Sequence, residues 1–202
     1  MIHRSPSSRR RPPARQLLLS AAARVFARDG LEGATTRAIS REAGVNEVTL
    51  FRQFGTKEHL LEAVVGSLFG VRPRAAAAPR AAGGLRSDLA AFARDYEALL
   101  GENLHLIRAV VGEIHRHSVC QHQALKGIFS PMRAALVRRL ELARVSGEAR
   151  PGTRPELVAD ILAGAVFSSV LRRATSKGRR GYRASEYRDA CVDLVFDGIT
   201  AR

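Results

Sequence analysis

The sequence predicts an all-α protein of about nine helices, with an N-terminal helix-turn-helix unit of three or four helices and a C-terminal helical bundle. Three observations carry that expectation. Apolar residues recur at 3.6-residue spacing through most of the chain, and nowhere with the period-two alternation of a strand. Gly and Pro mostly separate these periodic stretches rather than interrupt them. The chain has 202 residues, 46% of them hydrophobic, enough for a real core. No internal repeat suggests a solenoid instead.

Residues 1–14 read as a disordered basic arm. They carry Arg4, Arg9, Arg10 and Arg11 and no acid, with Pro6, Pro12 and Pro13 opposing packing. Such an arm can follow a DNA groove or simply be solvated. The first helix is expected from about Arg15 to Arg28, with Leu18, Ala22, Val25 and Phe26 on one face and Gly30 as its stop. The second spans Thr36 to Ala43, capped by Thr35 or Thr36, with Ile39 and Ala43 inward and Gly44 ending it. The third runs from Val45 or Asn46 to about Phe54, with Asn46 as N-cap. The fourth follows Gly55, capped by Thr56, with Leu60, Leu61, Val64 and Leu68 as its stripe.

These helices define a first domain over 15–71. The Pro-, Ala- and Gly-rich stretch 72–84 reads as a linker or loop, and 85–202 as a second, helical domain. In the second domain Ser87 is expected to cap a helix carrying Leu89, Phe92, Tyr96 and Leu99 and ending near Gly101. Asn103 is expected to cap the next, with Leu104, Ile107, Val111 and Ile114 on one face. A further helix carries Leu125, Ile128, Phe129, Leu136, Leu140 and Ala143, kinked or restarted by Pro131. After a loop from Gly147 to Pro155, two last helices span about Pro155–Thr175 and Ala184–Ala201.

Charge points to the partner class. Lys plus Arg number 33 and Asp plus Glu 19, a formal net charge of +14. Nucleic acid is therefore the first partner to consider. Lysine is confined to Lys57, Lys126 and Lys177 in an Ala-rich chain, so an Arg/Ala-rich coding bias contributes to that charge and composition alone does not prove binding. Two cysteines, Cys120 and Cys191, exclude a disulfide scaffold and lack zinc-finger spacing. No stretch approaches roughly 18 uninterrupted apolar residues, and the basic N-terminus lacks the apolar core of a secretory signal. A cytoplasmic protein without a membrane partner is expected.

The most informative feature is the pair of short helices joined by Gly44-Val45. Two helices on a tight Gly-containing turn form a helix-turn-helix, whose second helix can press its N-terminal side chains against base edges in the major groove. Glu47, Val48, Thr49, Arg52 and Gln53 are expected on the outside and Leu50 and Phe54 inside. A purely structural helical hairpin needs the same Gly turn and apolar face.

The run from Thr35 through Gly44-Val45-Asn46 and Thr49-Leu50-Phe51-Arg52-Gln53-Phe54-Gly55-Thr56-Lys57 to Leu61 resembles the signature of the TetR family of bacterial transcriptional regulators. Upstream, Ala21-Ala22, Val25-Phe26-Ala27 and Gly30 are similar to its first helix, so the likeness covers roughly 15–70. It implies a homodimer with an N-terminal DNA-binding domain and a variable helical domain that binds a small effector. By position, it implies that Thr36 and Arg37 meet the DNA backbone and that Asn46, Glu47, Val48 and Thr49 lie at the major-groove edge. Phe51 and Gln53 fall where the family often has Tyr and His on phosphate, and Lys57 also faces phosphate.

Three residues depart from that pattern. Phe51 has no hydroxyl, Gln53 cannot become cationic, and Val48 stands where Gly is common. The physical reading runs beside the resemblance. A lysine in the first turn of a helix works against the dipole, so a phosphate gives Lys57 a rationale, although it can also be an ordinary surface lysine. Thr49 can meet a thymine methyl. Glu47 can accept from cytosine N4 or simply suit the helix N-terminus by charge.

Elsewhere the signals are weaker. His105, His115, His117 and His122 cluster near Glu113, but His115 and His117 point to different sides of a helix, so no metal site is expected. Cys120 beside His122 lacks an orienting third group, so no catalytic residue is assigned, and no cofactor loop is visible. Small residues at Ala163, Gly164, Ala165, Ser168 and Ser169 allow close helix approach, within the chain or across a dimer. The resemblance tips this toward a homodimer through the last two helices, with Leu162 and Val166 as test positions and Leu194, Val195, Gly198 and Ile199 as the last helix's share. Candidate effector contacts are Phe92, Tyr96, His105, Arg108, Val111, Phe129 and Phe167, with Leu104 and Ile107; plain core is the alternative for the apolar ones.

The expected function is a DNA-binding transcriptional regulator, a repressor released from a palindromic operator by a small hydrophobic effector. The alternatives are a basic helical nucleic-acid-packaging protein without an effector and a hydrolase using Cys120 or the histidines. The register of four helices about Gly44 favours the regulator over both.

Overall fold

The computed structural model describes residues 12–69, 83–112, 118–175 and 181–200, with side chains at all of these except 69, 112, 118–131 and 175. Most of the expected arm, most of the linker, and Glu113, Ile114, His115 and His117 lie outside the described residues. So do the side chains of Cys120, His122, Leu125, Ile128 and Phe129. Among the described residues every regular element is a helix: α1 (Ala14–Gly33), α2 (Thr36–Ala43), α3 (Glu47–Phe54), α4 (Lys57–Phe69), α5 (Gly84–Glu102), α6 (Leu104–Gly112), α7 (Ser118–Val145), α8 (Pro155–Thr175) and α9 (Ala184–Ile199). The chain divides into two compact units, Met1–Val64 and Val65–Arg202.

In the first unit, Leu18, Ala21, Ala22, Val25 and Phe26 of α1 are fully buried with Ile39 of α2, Leu50 of α3 and Leu60 and Val64 of α4. Each large apolar side chain so buried contributes roughly 1.5–3 kcal/mol. Gly30 interrupts α1 with φ 73° and ψ 176°, a conformation that a side chain would disfavour. The expected stop at Gly30 is therefore real, followed by one short turn to Gly33.

The second unit packs α5 against α7, α8 and α9. Leu89, Ala93, Tyr96 and Leu100 of α5 are buried, as are Leu136, Leu140 and Ala143 of α7 and Ala159, Leu162 and Val166 of α8. Arg188 of α9 donates to Glu97 of α5 at 2.8 Å, and Arg133 of α7 donates to Asp160 of α8 at 2.5 Å.

Four details differ from the sequence reading. Helix α5 begins at Gly84, before Ser87, because Leu85 is buried and draws the first turn into the core. Asn103 does not cap α6 with its side chain; its Nδ2 donates to the Leu99 carbonyl at 2.8 Å and closes the end of α5 instead. The buried face of α6 is Leu106, Ile107 and Val110, with Leu104 and Val111 half-buried. The run from Leu104 to Val111 is apolar enough to offer two adjacent faces, and periodicity does not choose between them. Helix α7 continues through Pro131 without restarting. A proline removes one rung of the ladder, and the turns after it are anchored by Met132, Leu136 and Leu140.

Candidate nucleic-acid interface

The turn between α2 and α3 follows from its sequence. Gly44 adopts φ 65° and ψ 36°, the left-handed conformation that closes a helix. The Gly44 N–H donates to Arg41 at 3.2 Å and the Val45 N–H to Ser40 at 3.1 Å, so the last carbonyls of α2 are satisfied as the chain reverses. Asn46 then starts α3, its side chain accepting from the Val48 N–H at 2.9 Å. Thr35 caps α2 in the same way, accepting from Ala38 at 3.1 Å. Thr56 caps α4, accepting from His59 at 3.1 Å.

With Leu50 and Phe54 buried, the opposite face of α3 is left outside. Val48 is 71% exposed and Phe51 48%, so the outer face of α3 carries apolar surface as well as polar groups. Arg52 and Gln53 are also exposed, Thr49 is half-buried, and Asn46 is exposed while it caps. On α2, Arg37 and Arg41 are exposed and Thr36 is half-buried, and Lys57 at the start of α4 is half-buried.

Two contacts hold this surface in place that sequence reasoning missed. Arg24 of α1 donates to Glu42 of α2 at 2.7 Å, and Arg28 donates to the other carboxylate oxygen of Glu42 at 3.1 Å and to Asp29 at 2.8 Å. Hydrogen bonds from Arg24 and Arg28 hold the Glu42 carboxyl below the usual glutamate range. The signal was available as two arginines one helical turn apart on α1. At the other end, Arg15 stacks over the Phe54 ring, 5.3 Å from its centroid.

The third contact lies within the reading face. The Thr36 hydroxyl donates to a carboxylate oxygen of Glu47 at 2.5 Å, tying the first residue of α2 to the first residue of α3. The family resemblance places these two residues against different parts of the DNA, Thr36 at the backbone and Glu47 at the major-groove edge.

In the second unit, Phe92 and Tyr96 are buried on α5 and stacked with centroids 5.7 Å apart. Burial pushes the Tyr96 phenol well above its ordinary pKa. His105 and Arg108 are exposed on α6, so that helix does not bring them inward to Tyr96; Val111 and Phe167 are half-buried, and the Phe129 side chain lies outside the described residues. Among the described residues no three His, Cys, Asp or Glu side chains gather as metal ligands, and no helix is long and apolar enough to cross a membrane.

A tight Gly turn, a capped exposed second helix and a basic surround define a helix-turn-helix DNA-binding protein with a second helical unit. Residues 18–64 match the bacterial regulatory proteins of the tetR family, and residues 79–184 match the tetracyclin repressor-like C-terminal domain. The chain belongs to the TetR family of transcriptional regulators.

Solved structures agree on the fold. Bacillus subtilis FadR, a transcriptional regulator in complex with stearoyl-CoA, aligns with a TM-score of 0.75 at 20% identity, covering 91% of this chain and 98% of that one. The flavonoid-responsive regulator FrrA aligns with a TM-score of 0.74 at 20% identity over 94% and 98%. Salmonella enterica GusR aligns with a TM-score of 0.73 at 19% identity over 92% and 94%. Among curated proteins no sequence matches.

Proposed function

We propose that the protein is a homodimeric repressor that binds a palindromic operator through α3 and is released by a small, largely hydrophobic effector held in the second unit. The exposed face of α3 carries this reading. Val48 and Phe51 stand in water beside the exposed Arg52 and Gln53 on a helix that follows a tight Gly turn, a mix of apolar and hydrogen-bonding side chains that suits base edges and sugar–phosphate. Asn46, Glu47, Val48 and Thr49 read base edges, while Arg37 and Lys57 neutralise phosphates, Gln53 donates a neutral hydrogen bond to one and Phe51 packs against sugar.

A second exposed apolar stripe supports the dimer. On α8, Leu157, Ile161 and Gly164 are exposed at spacings of four and three, with Ile161 62% exposed. On α9, Ala190, Leu194 and Gly198 are exposed four apart, with Leu194 at 75%. Leu162 and Val166, the test positions expected from the resemblance, are buried within the unit itself, as is Ile199. The pairing face is therefore the neighbouring stripe of the same two helices, and a charge at Leu162 attacks folding rather than pairing.

For the effector, Phe92 and Tyr96 offer a buried aromatic wall with one polar tip. On this fold FadR is in complex with stearoyl-CoA and FrrA is flavonoid-responsive, which agrees with the reading. The decisive experiment is footprinting with full-length protein on the DNA upstream of its own gene, followed by a compound screen for release. A protected inverted repeat freed by a hydrophobic compound is the expected result. Uniform coverage without a repeat would favour a packaging role.

A further inference from the structure

Thr36 and Glu47 each open a helix, and the hydroxyl-to-carboxylate bond between them is 2.5 Å long. Both side chains are half-buried, so solvent does not fully screen the bond. A threonine hydroxyl has one proton to donate. Here that proton goes to Glu47, and none is left for a DNA phosphate. The β-branched Thr36 has few χ1 choices, so its end of the bond is stiff and restrains the longer, more flexible Glu47 side chain.

Glu47 is an anion on a face that must approach a polyanion. On α2, Arg37 and Arg41 are exposed, and on α3 Val48 projects into solvent. A carboxylate there is unfavourable unless it finds a donor at the DNA surface. It has acceptor capacity to spare: one oxygen takes the Thr36 proton, and among the described residues no other hydrogen bond to the Glu47 carboxylate is present. In the major groove the amino donors are cytosine N4 and adenine N6. Adenine presents the N7 acceptor beside its amino group, which repels a carboxylate, whereas cytosine presents the amino group alone.

We infer that Thr36 is a positioning residue that aims the Glu47 carboxylate at a cytosine amino group, once in each half-site. This rests on α3 entering the major groove. It moves Thr36 from the phosphate contacts, where the family resemblance assigns it, to the machinery that reads a base. Thr36 then acts through Glu47 and touches no DNA itself.

The test uses the full-length protein and a defined operator, with every half-site position varied through the four base pairs and affinity read by fluorescence anisotropy at several salt concentrations. The variants are Glu47→Gln, Thr36→Val and Thr36→Ser, each checked for helix content. One position should prefer cytosine by about fivefold to tenfold, as suits a single hydrogen bond. Glu47→Gln should move that preference to adenine, because an amide can both accept from N6 and donate to N7. Thr36→Val should flatten preference at that position alone and leave the salt slope intact, and Thr36→Ser should restore it. If Thr36→Val weakens all sequences equally and lowers the salt slope by about one, Thr36 is a phosphate contact and the inference is overturned. Unchanged base preference in Glu47→Gln overturns it without relying on Thr36→Val folding. Wild-type protein that binds every sequence alike removes the major-groove reading itself, an outcome visible before any variant is made.

Discussion

Arg139 of α7 and Asp88 of α5 meet at 2.6 Å, and each side chain is only 13% exposed. The same guanidinium donates to Glu148 at 2.8 Å through Nη2 and at 3.3 Å through Nη1, so one arginine joins α5, α7 and the turn that leads to α8. The Ser146 hydroxyl donates to Glu148 at 3.0 Å and completes the joint. A planar fork of donors suits this task, and lysine would not reproduce it.

Removing that arginine leaves a nearly buried carboxylate without its partner. Arg139→Met should therefore destabilise the second unit by roughly 3 kcal/mol, the lower range for breaking a buried ion pair. Arg139→Lys should recover only part of the loss. Urea unfolding followed by circular dichroism measures both. Equal stability of Arg139→Met and wild type would show that Asp88 is better solvated than its exposure implies.

The DNA contacts separate into two kinds by their salt and sequence dependence. Lys57→Ala should weaken binding to all sequences alike and reduce the salt slope by about one, as expected for one phosphate contact. Thr49→Ala and Val48→Ala should instead change preference at particular base pairs, because those side chains lie on the exposed end of α3. Competition binding at several salt concentrations tells them apart. A sequence-selective effect of Lys57→Ala would reverse its assigned role.

Much of the first unit was legible in the sequence because its signals are local. Thr35, Asn46 and Thr56 cap the helices they precede, and Gly30 and Gly44 take positive φ where the periodic pattern stops. Such features depend on a few neighbouring residues, which periodicity and residue chemistry reveal. What could not be read depends on which face of a helix another helix covers. Leu162 and Ile161 are adjacent and equally apolar, yet one is fully buried and the other mostly exposed. The α6 register and the Thr36–Glu47 bond are of the same kind, set by packing and by side chains 11 residues apart.

The α8–α9 stripe gives a prediction that separates pairing from folding. Ile161→Glu places an acid in the middle of the exposed stripe, and a two-fold interface would face this charge with its copy. The variant should sediment as a folded monomer with a much weaker grip on the operator. Leu162→Glu should instead lose helix content, because Leu162 is fully buried. A dimeric Ile161→Glu protein would move the interface away from this stripe.

Acid should loosen both units. Hydrogen bonds from Arg24 and Arg28 hold Glu42 below its ordinary range, one from Arg139 does the same for Glu148, and one from Arg133 for Asp160. Below about pH 4.3 the unfolded chain takes up protons at its glutamates before the folded one does. The stabilisation is therefore complete above that pH and is lost as pH falls through the lowered folded values. Urea midpoints should drop from pH 5 to pH 3, and the drop should be shallower in the combined Glu42→Gln, Glu148→Gln and Asp160→Asn variant. Parallel acid limbs would mean that other carboxylates dominate.

The last expectation concerns release from DNA. A ligand moves an equilibrium only by its differential affinity for the two states, so an inducer must bind the DNA-incompetent arrangement more tightly. Linkage then requires operator DNA to weaken the ligand by the same factor by which the ligand weakens DNA. Tyr96 and Phe92 form a buried stacked pair, which suits a partly hydrophobic compound with one or two polar groups. A thermal-shift panel of such compounds should yield hits that raise the melting temperature of the free protein. The same hits should lower operator affinity, and Tyr96→Phe or Phe92→Ala should blunt both effects together, while Lys57→Ala should leave the rise in melting temperature intact. Compounds that stabilise the protein yet leave operator affinity unchanged across the panel would remove the inducer model and leave a regulator that holds its operator without a ligand switch.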